Sequence, residues 1–285
     1  MRIPITLLTI LLASACDQLA LGVEDVVTVE LPDARNQITV EGWLTNTNQT
    51  QYIKLTRSSS FNSPEPVEAI EDATILVQAR TGQTFPYTYD MEGIYLSDSA
   101  FAADSEAEYR VRIFLSDGQE IRSDFLATPE EVPLLRLFIG SFEENDPDLD
   151  DPITVFFPRI VAIDPVDVSN HYRWRFFKNG SPFTTPESIT ILDDRFFDGN
   201  LIPNNFRSFG YNRGDKMTVE FESISANAYD YLSLLSSQIT SLGTSSGTTP
   251  ARIPGNLKYV PSIDGQEIFG FFGIVSVSSD TLTVE

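Results

Sequence analysis

Cysteine and histidine are nearly missing: the 285 residues hold one of each, Cys16 and His171. A disulfide needs two thiols and a structural zinc site needs several Cys or His ligands, so neither can brace this chain. A nucleophile–histidine couple has only His171 to draw on. Positive charge is scarce too. Against 41 acidic side chains stand 19 basic ones, a formal net charge of −22, and that sign repels a phosphate backbone. Nucleic acid is therefore not an expected partner. Long apolar runs are also lacking beyond the first residues. Ile268 to Val277 is the best internal candidate, but it is interrupted by Gly270 and Gly273 and falls far short of the roughly 20 residues a spanning helix takes. It reads as a buried strand. What is abundant is apolar and aromatic side chain, 41% and 11% of the chain, enough for the cores of about two domains.

The chain opens with a charged, then apolar, then small-residue order: Met1-Arg2, the run Ile3 to Leu12, and Ala13-Ser14-Ala15 before Cys16. That is the order of a secretory signal, too short to span a bilayer. The only cysteine stands directly after the small residues. The arrangement resembles a bacterial lipobox, with Leu12 one place further upstream than the usual pattern, and implies a thiol that is acylated and becomes the new N-terminus. The alternative is a cleaved, unlipidated leader followed by an incidental Cys. Acyl chains contribute about 0.8 kcal/mol per buried CH2, so two or three of them anchor a protein firmly. The expected order is a signal peptide at 1–15, then the lipidated Cys16 and a polar, acidic tether to residue 35.

Beyond the tether, short β-type runs alternate with turn residues. Gln37 to Leu44 and Gln51 to Arg57 flank Asn46-Thr47-Asn48-Gln49, a hairpin signature. Thr74 to Ala79, Phe85 to Tyr89, Gly93 to Leu96, Glu108 to Leu115 and Glu120 to Phe125 follow, with Thr81-Gly82 and Asp117-Gly118 as tight turns. This spacing predicts a β-sandwich over 36–128. Pro129 and Pro133, with Glu130 and Glu131 between them, mark a boundary. A second β-rich domain is expected over 134–285, with one helix near 225–239. Its N-cap is Ser225, and Ala228, Leu232, Leu235 and Ile239 share one face.

Several constellations invite a chemical reading. His171 heads a strand whose alternation sends Tyr172, Trp174 and Phe176 inward and groups His171 with Arg173 and Arg175 on a cationic face. No nucleophile motif accompanies it. Glu143, Glu144, Asp146, Asp148, Asp150 and Asp151 concentrate oxygen ligands, and calcium is the cation such a loop would take; the weak metal candidates are Asp146, Asp148 and Asp150. EF-hand spacing is absent, since the sixth position from Asp146 is Asp151 rather than Gly, and a solvated acidic loop is the competing reading. Asp193 and Asp194 are adjacent, so on a strand they point to opposite faces and cannot flank one glycosidic bond. A turn with a local Arg195 salt bridge is expected there. Among the aromatics, those in loops are the expected exposed ones: Phe61, Phe183, Phe206, Phe209 and Tyr211. The segment Gly199 to Gly214 reads as a long decorated loop whose Phe206, Phe209 and Tyr211 are candidates for contact with a ligand or partner.

Cys16, Val40-Glu41-Gly42-Trp43, Gly93-Ile94-Tyr95, Tyr172-Arg173-Trp174, Asp194-Arg195-Phe196-Phe197-Asp198-Gly199, Ala228-Tyr229-Asp230-Tyr231, Gly255-Asn256 and Phe269-Gly270-Phe271-Phe272 together carry a resemblance. The chain resembles a family of uncharacterised outer-membrane lipoproteins found in Bacteroidetes, whose members carry a domain of unknown function. The resemblance implies an N-terminal immunoglobulin- or transthyretin-like β-sandwich followed by a second β-rich domain. It also implies association with a TonB-dependent outer-membrane receptor, and so a part in capturing or admitting a nutrient. No catalytic residues come with it. Many members carry further Cys in the second domain, and this chain has none beyond Cys16. The sequence thus leads us to expect a lipid-anchored protein of the outer membrane, on its periplasmic face or the cell surface, that is not an enzyme. The alternative is an assembly lipoprotein that binds another envelope protein without handling a ligand.

Overall fold

The computed structural model describes residues 36–58, 67–145, 152–202, 204, 206–241, 253–263 and 265–285. The fold is mainly β with a single long helix. The strands run β1 (Ile38–Thr45), β2 (Tyr52–Arg57), β3 (Glu68–Ala69), β4 (Thr74–Ala79), β5 (Thr84–Met91), β6 (Ile94–Ser97), β7 (Glu108–Phe114), β8 (Glu120–Ser123) and β9 (Leu126–Ala127). Next come β10 (Arg136–Glu144), β11 (Ile153–Val161), β12 (His171–Lys178), β13 (Ser181–Pro182) and β14 (Thr190–Asp193). The chain ends with β15 (Lys216–Ile224), α1 (Ala226–Ser241), β16 (Leu257–Val260) and β17 (Phe269–Thr283). No helix among the described residues is long and apolar enough to cross a membrane.

Alternation builds the first core. In β7, Tyr109, Val111 and Ile113 are buried while Glu108, Arg110 and Arg112 stay half-exposed, as a half-buried strand requires. β4 does the same with Ile75, Val77 and Ala79. The inward faces of β1, β2, β6, β5, β4, β7, β8 and β16 meet in one apolar cluster with Val40, Leu55, Tyr95 and Ile121. A second core gathers the aromatic face of β12 with Met217, Val219 and Phe221 of β15.

The second core begins at Val132, inside the Pro129–Pro133 stretch, while Leu257 and Ile274 return to the first core. The described residues fall in one compact unit, Ala34–Glu285, and the strand path passes from one core into the other through β17. Its first half, Phe269 to Val275, pairs in parallel with β1, and its second half, Ser276 to Thr283, pairs antiparallel with β15. β16 returns to the far edge beside β8, so Leu257 and Tyr259 belong to the first core although they follow the helix in sequence. The segment Pro129 to Leu134 is pinned to this seam: Ser276 Oγ donates to the Pro129 carbonyl at 2.6 Å, and Leu134 N donates to Ser278 Oγ at 3.0 Å. The proline-flanked stretch thus lies as a strap across β17.

Helix α1 starts where Ser225 caps it, its Oγ accepting from Ala228 N at 3.2 Å. Ala228 and Leu232 are buried with Phe271 and Val275 of β17, while Leu235 and Ile239 line an opening between helix and sheet. The apolar stripe read from the sequence thus packs at its start and borders a cleft at its end.

Candidate functional site

Of the residues singled out by sequence, Cys16, the tether, Phe61, Asp146, Asp148 and Asp150 lie outside the described residues. Phe206, Phe209 and Tyr211 are described, and their expected exposure is corrected: they are 4%, 3% and 0% exposed. Phe209 stacks on Phe176 with centroids 4.0 Å apart, and Phe206 lies 5.5 Å from Trp174. Tyr211 donates through its hydroxyl to the Phe177 carbonyl at 3.2 Å. The physical reason is the aromatic face of β12, which needs a cover, and this segment supplies it with rings rather than presenting them to a ligand. Phe196, carried in the sequence only as part of a motif, is instead exposed, at 92%.

The opposite face of β12 meets a charge pattern that its own sequence does not contain. Arg173 stands directly across from Glu222 of β15, and Arg175 from Glu220. Arg173 Nε bonds to Glu222 Oε2 in a buried pair, and Arg175 Nη1 lies 3.1 Å from Glu220 Oε2. The expected cationic face is instead a row of ion pairs, because the partners arrive from a strand more than forty residues away. The Arg173 guanidinium also lies over Trp43, 4.2 Å from the ring centroid. Trp43 stacks with Phe271 at 5.6 Å, and Phe271 with Tyr231 of the helix at 4.9 Å. His171 packs its ring 5.0 Å from Tyr229.

Of these groups, Arg173, Arg175, Trp43, Phe271 and Tyr231 line a cleft of about 530 Å³ between α1 and the sheet. Arg175, Glu41 and Trp43 sit on the sheet side, Tyr231, Leu235 and Ile239 on the helix side, and Thr184, Thr185 and Ser188 at the rim. Burial pushes the Tyr231 hydroxyl up from its ordinary value, with Glu41 adding to it, and burial likewise raises the Glu220 carboxyl against the pull of Arg175. The cleft is concave, with apolar walls and a few polar groups, and opens between the helix and the sheet.

A second cluster lies at the end of β12. Carboxylate oxygens of Asp164, Asp194 and Asp198 all fall within 4.8 Å of one another, with Asp164 and Asp194 buried. Tyr172 donates its hydroxyl to Asp164 Oδ1, Gly199 N donates to Asp164 Oδ2 at 3.0 Å, and Asn170 N donates to Asp194 Oδ2 at 2.5 Å. An all-oxygen set of this kind suits a hard divalent cation. Sequence reasoning missed it, since Asp164 is thirty residues from its partners; the buried tyrosine across from it was the available signal. Asp193 goes the other way, as alternation requires. Arg195 clasps it through Nε at 2.8 Å and Nη2 at 2.7 Å, which is the local salt bridge expected, and Tyr229 donates to it at 3.0 Å. Those donors hold the Asp193 carboxyl down at about 2.

No curated protein matches the chain. The model of a family described as a domain of unknown function (DUF4249) matches residues 24–281, and the chain belongs to that family.

Proposed function

We propose that this protein is a lipid-anchored, non-enzymatic binding protein of the bacterial outer membrane, which captures a small nutrient in the cleft under α1 and serves a TonB-dependent receptor. The cleft carries this reading: its fixed groups are paired arginines, stacked rings and rim hydroxyls, the inventory of a recognition surface. Cys16 after the small-residue leader supports the anchor, and the acidic residues between Cys16 and residue 35 support a tether that holds the body off an anionic membrane surface. The resemblance to Bacteroidetes outer-membrane lipoproteins supports the receptor as partner.

The test is a deletion strain complemented by the native chain, by Cys16→Ala, and by Leu235→Trp, which fills the cleft from the helix side. Native protein is expected in the outer-membrane fraction, copurifying with a large barrel and restoring growth on one nutrient. Leu235→Trp is expected to remain membrane-bound and folded but fail in growth. Full growth with the filled cleft contradicts the capture role and favours an assembly lipoprotein.

A further inference from the structure

Away from the cleft, the outer face of the first core concentrates positive charge. Alternation sends Tyr109, Val111, Ile113 and Ile121 inward and turns Arg110, Arg112 and Arg122 outward. Register then sets Arg112 directly opposite Arg122, and Lys258 of β16 opposite Arg122 on its other side. Three cations form one row across three neighbouring strands, which lie about 4.8 Å apart. Like charges directly opposite one another destabilise an antiparallel pair. Two more guanidinium contacts gather beside the row, where Arg80 and Arg110 lie 4.3 and 4.5 Å from the centroid of Phe125.

The carboxylates on this face do not balance the cations. Glu120 takes Arg112 at 2.7 Å, Asp124 takes Lys258 at 2.7 Å, and Glu108 takes Arg80. Among the described residues Arg110 hydrogen-bonds to the neutral amide oxygen of Gln78, at 2.7 Å, and makes no ion pair, Glu120 acting on it only at longer range. Arg122 makes no hydrogen bond or ion pair among the described residues, and shares with Arg112 and Arg110 the single carboxylate of Glu120, whose proton affinity all three lower. Burial first, then Arg122 and Arg112, lowers the proton affinity of Arg110. On a chain of net charge −22, this local surplus stands against the general field.

We propose that this face is an anion-binding site for a compact, multiply charged tetrahedral oxyanion of the phosphate class, held by Arg110, Arg112 and Arg122 with Lys258 at the edge. Guanidinium forks match phosphate oxygens bidentately, and several forks approaching in a row suit an anion that offers oxygens in more than one plane. Compactness follows from screening. Within about 8 Å, the Debye length at physiological salt, an anion senses the row; an extended anionic surface also meets the negative charge of the body. A small phosphate-bearing molecule therefore fits better than a lipid bilayer.

Inorganic pyrophosphate titrated into the purified full chain at constant ionic strength, followed calorimetrically, tests the site. Saturable one-site binding is expected, about tenfold or more weaker in Arg122→Gln, the loss of a charge-assisted contact. Lys216→Gln, on a different strand, is the control and is expected to bind like the native chain. Thermal melting gives a second readout: without pyrophosphate, Arg122→Gln melts at or above the native temperature because it relieves the row, and pyrophosphate raises the melting point of the native chain and of Lys216→Gln more than that of Arg122→Gln. No saturable binding, or equal binding by Arg122→Gln, overturns the proposal. Vesicles containing phosphatidylglycerol that bind as tightly as pyrophosphate, and lose binding with Arg122→Gln, overturn the compact-ligand assignment in favour of a lipid surface.

Discussion

Gly270 lies directly across the parallel strand pair from Val40, with φ of +85°, and its Cα abuts the Val40 carbonyl so closely that a Cβ would overlap that oxygen. This is the point where β17 enters the first core, and Asn256 reinforces it by exchanging two hydrogen bonds with the Phe272 backbone at 2.6 and 3.0 Å. The seam between the two cores depends on a residue without a side chain. Gly270→Ala is expected to lower unfolding free energy by at least about 2 kcal/mol, from the left-handed φ and the overlap together. Urea denaturation measures it, and a change below about 0.5 kcal/mol, the usual range for an unconstrained surface site, contradicts the seam as described.

The Arg173–Glu222 pair is buried, with Glu222 only 1% exposed. Removing one partner strands the other charge, so Glu222→Ala is expected to cost about 3–5 kcal/mol. A double replacement, Arg173→Met with Glu222→Leu, is expected to cost less than the single change, and a double-mutant cycle by chemical denaturation checks the coupling.

Asp193 gives a pH dependence of known sign. Its folded pKa, about 2, lies below the ordinary 3.8, so its contribution is present above the unfolded value and is lost as pH falls from about 3.8 toward 2. The native chain is expected to lose stability more steeply across that window than Asp193→Asn, and urea midpoints at pH 5 and pH 2.5 compare the two. Parallel curves would show that Arg195 and Tyr229 do not stabilise the carboxylate.

Phe209 and Phe196 separate core from surface in neighbouring loops. Phe209→Ala is expected to destabilise by about 3–5 kcal/mol, because it empties the cover over Phe176. Phe196→Ser is expected to stay within about 0.5 kcal/mol of native, since the ring is 92% exposed. Thermal melting of the two variants distinguishes them at once.

Local patterns were legible and distant pairings were not. The alternation in Tyr109, Val111 and Ile113, the turn at Asp117-Gly118 and the Ser225 cap each write their structure within a few residues, and each appears where the sequence places it. Nothing local in Phe269-Gly270-Phe271 says that it pairs in parallel with β1. The same limit hid Glu222 from Arg173 and Asp164 from Asp194, because register between strands far apart in sequence decides both. Phe206, Phe209 and Tyr211 were misjudged for a related reason: an irregular segment has no period to mark which rings face a core.

Capture of a nutrient by an anchored protein is tested by growth of the deletion strain across an array of single nutrients. Growth on one nutrient is expected to be lost, and to be restored by the native chain and by neither Cys16→Ala nor the cleft-filling Leu235→Trp. Unchanged growth on every nutrient, or full restoration by either variant, contradicts capture by an anchored protein.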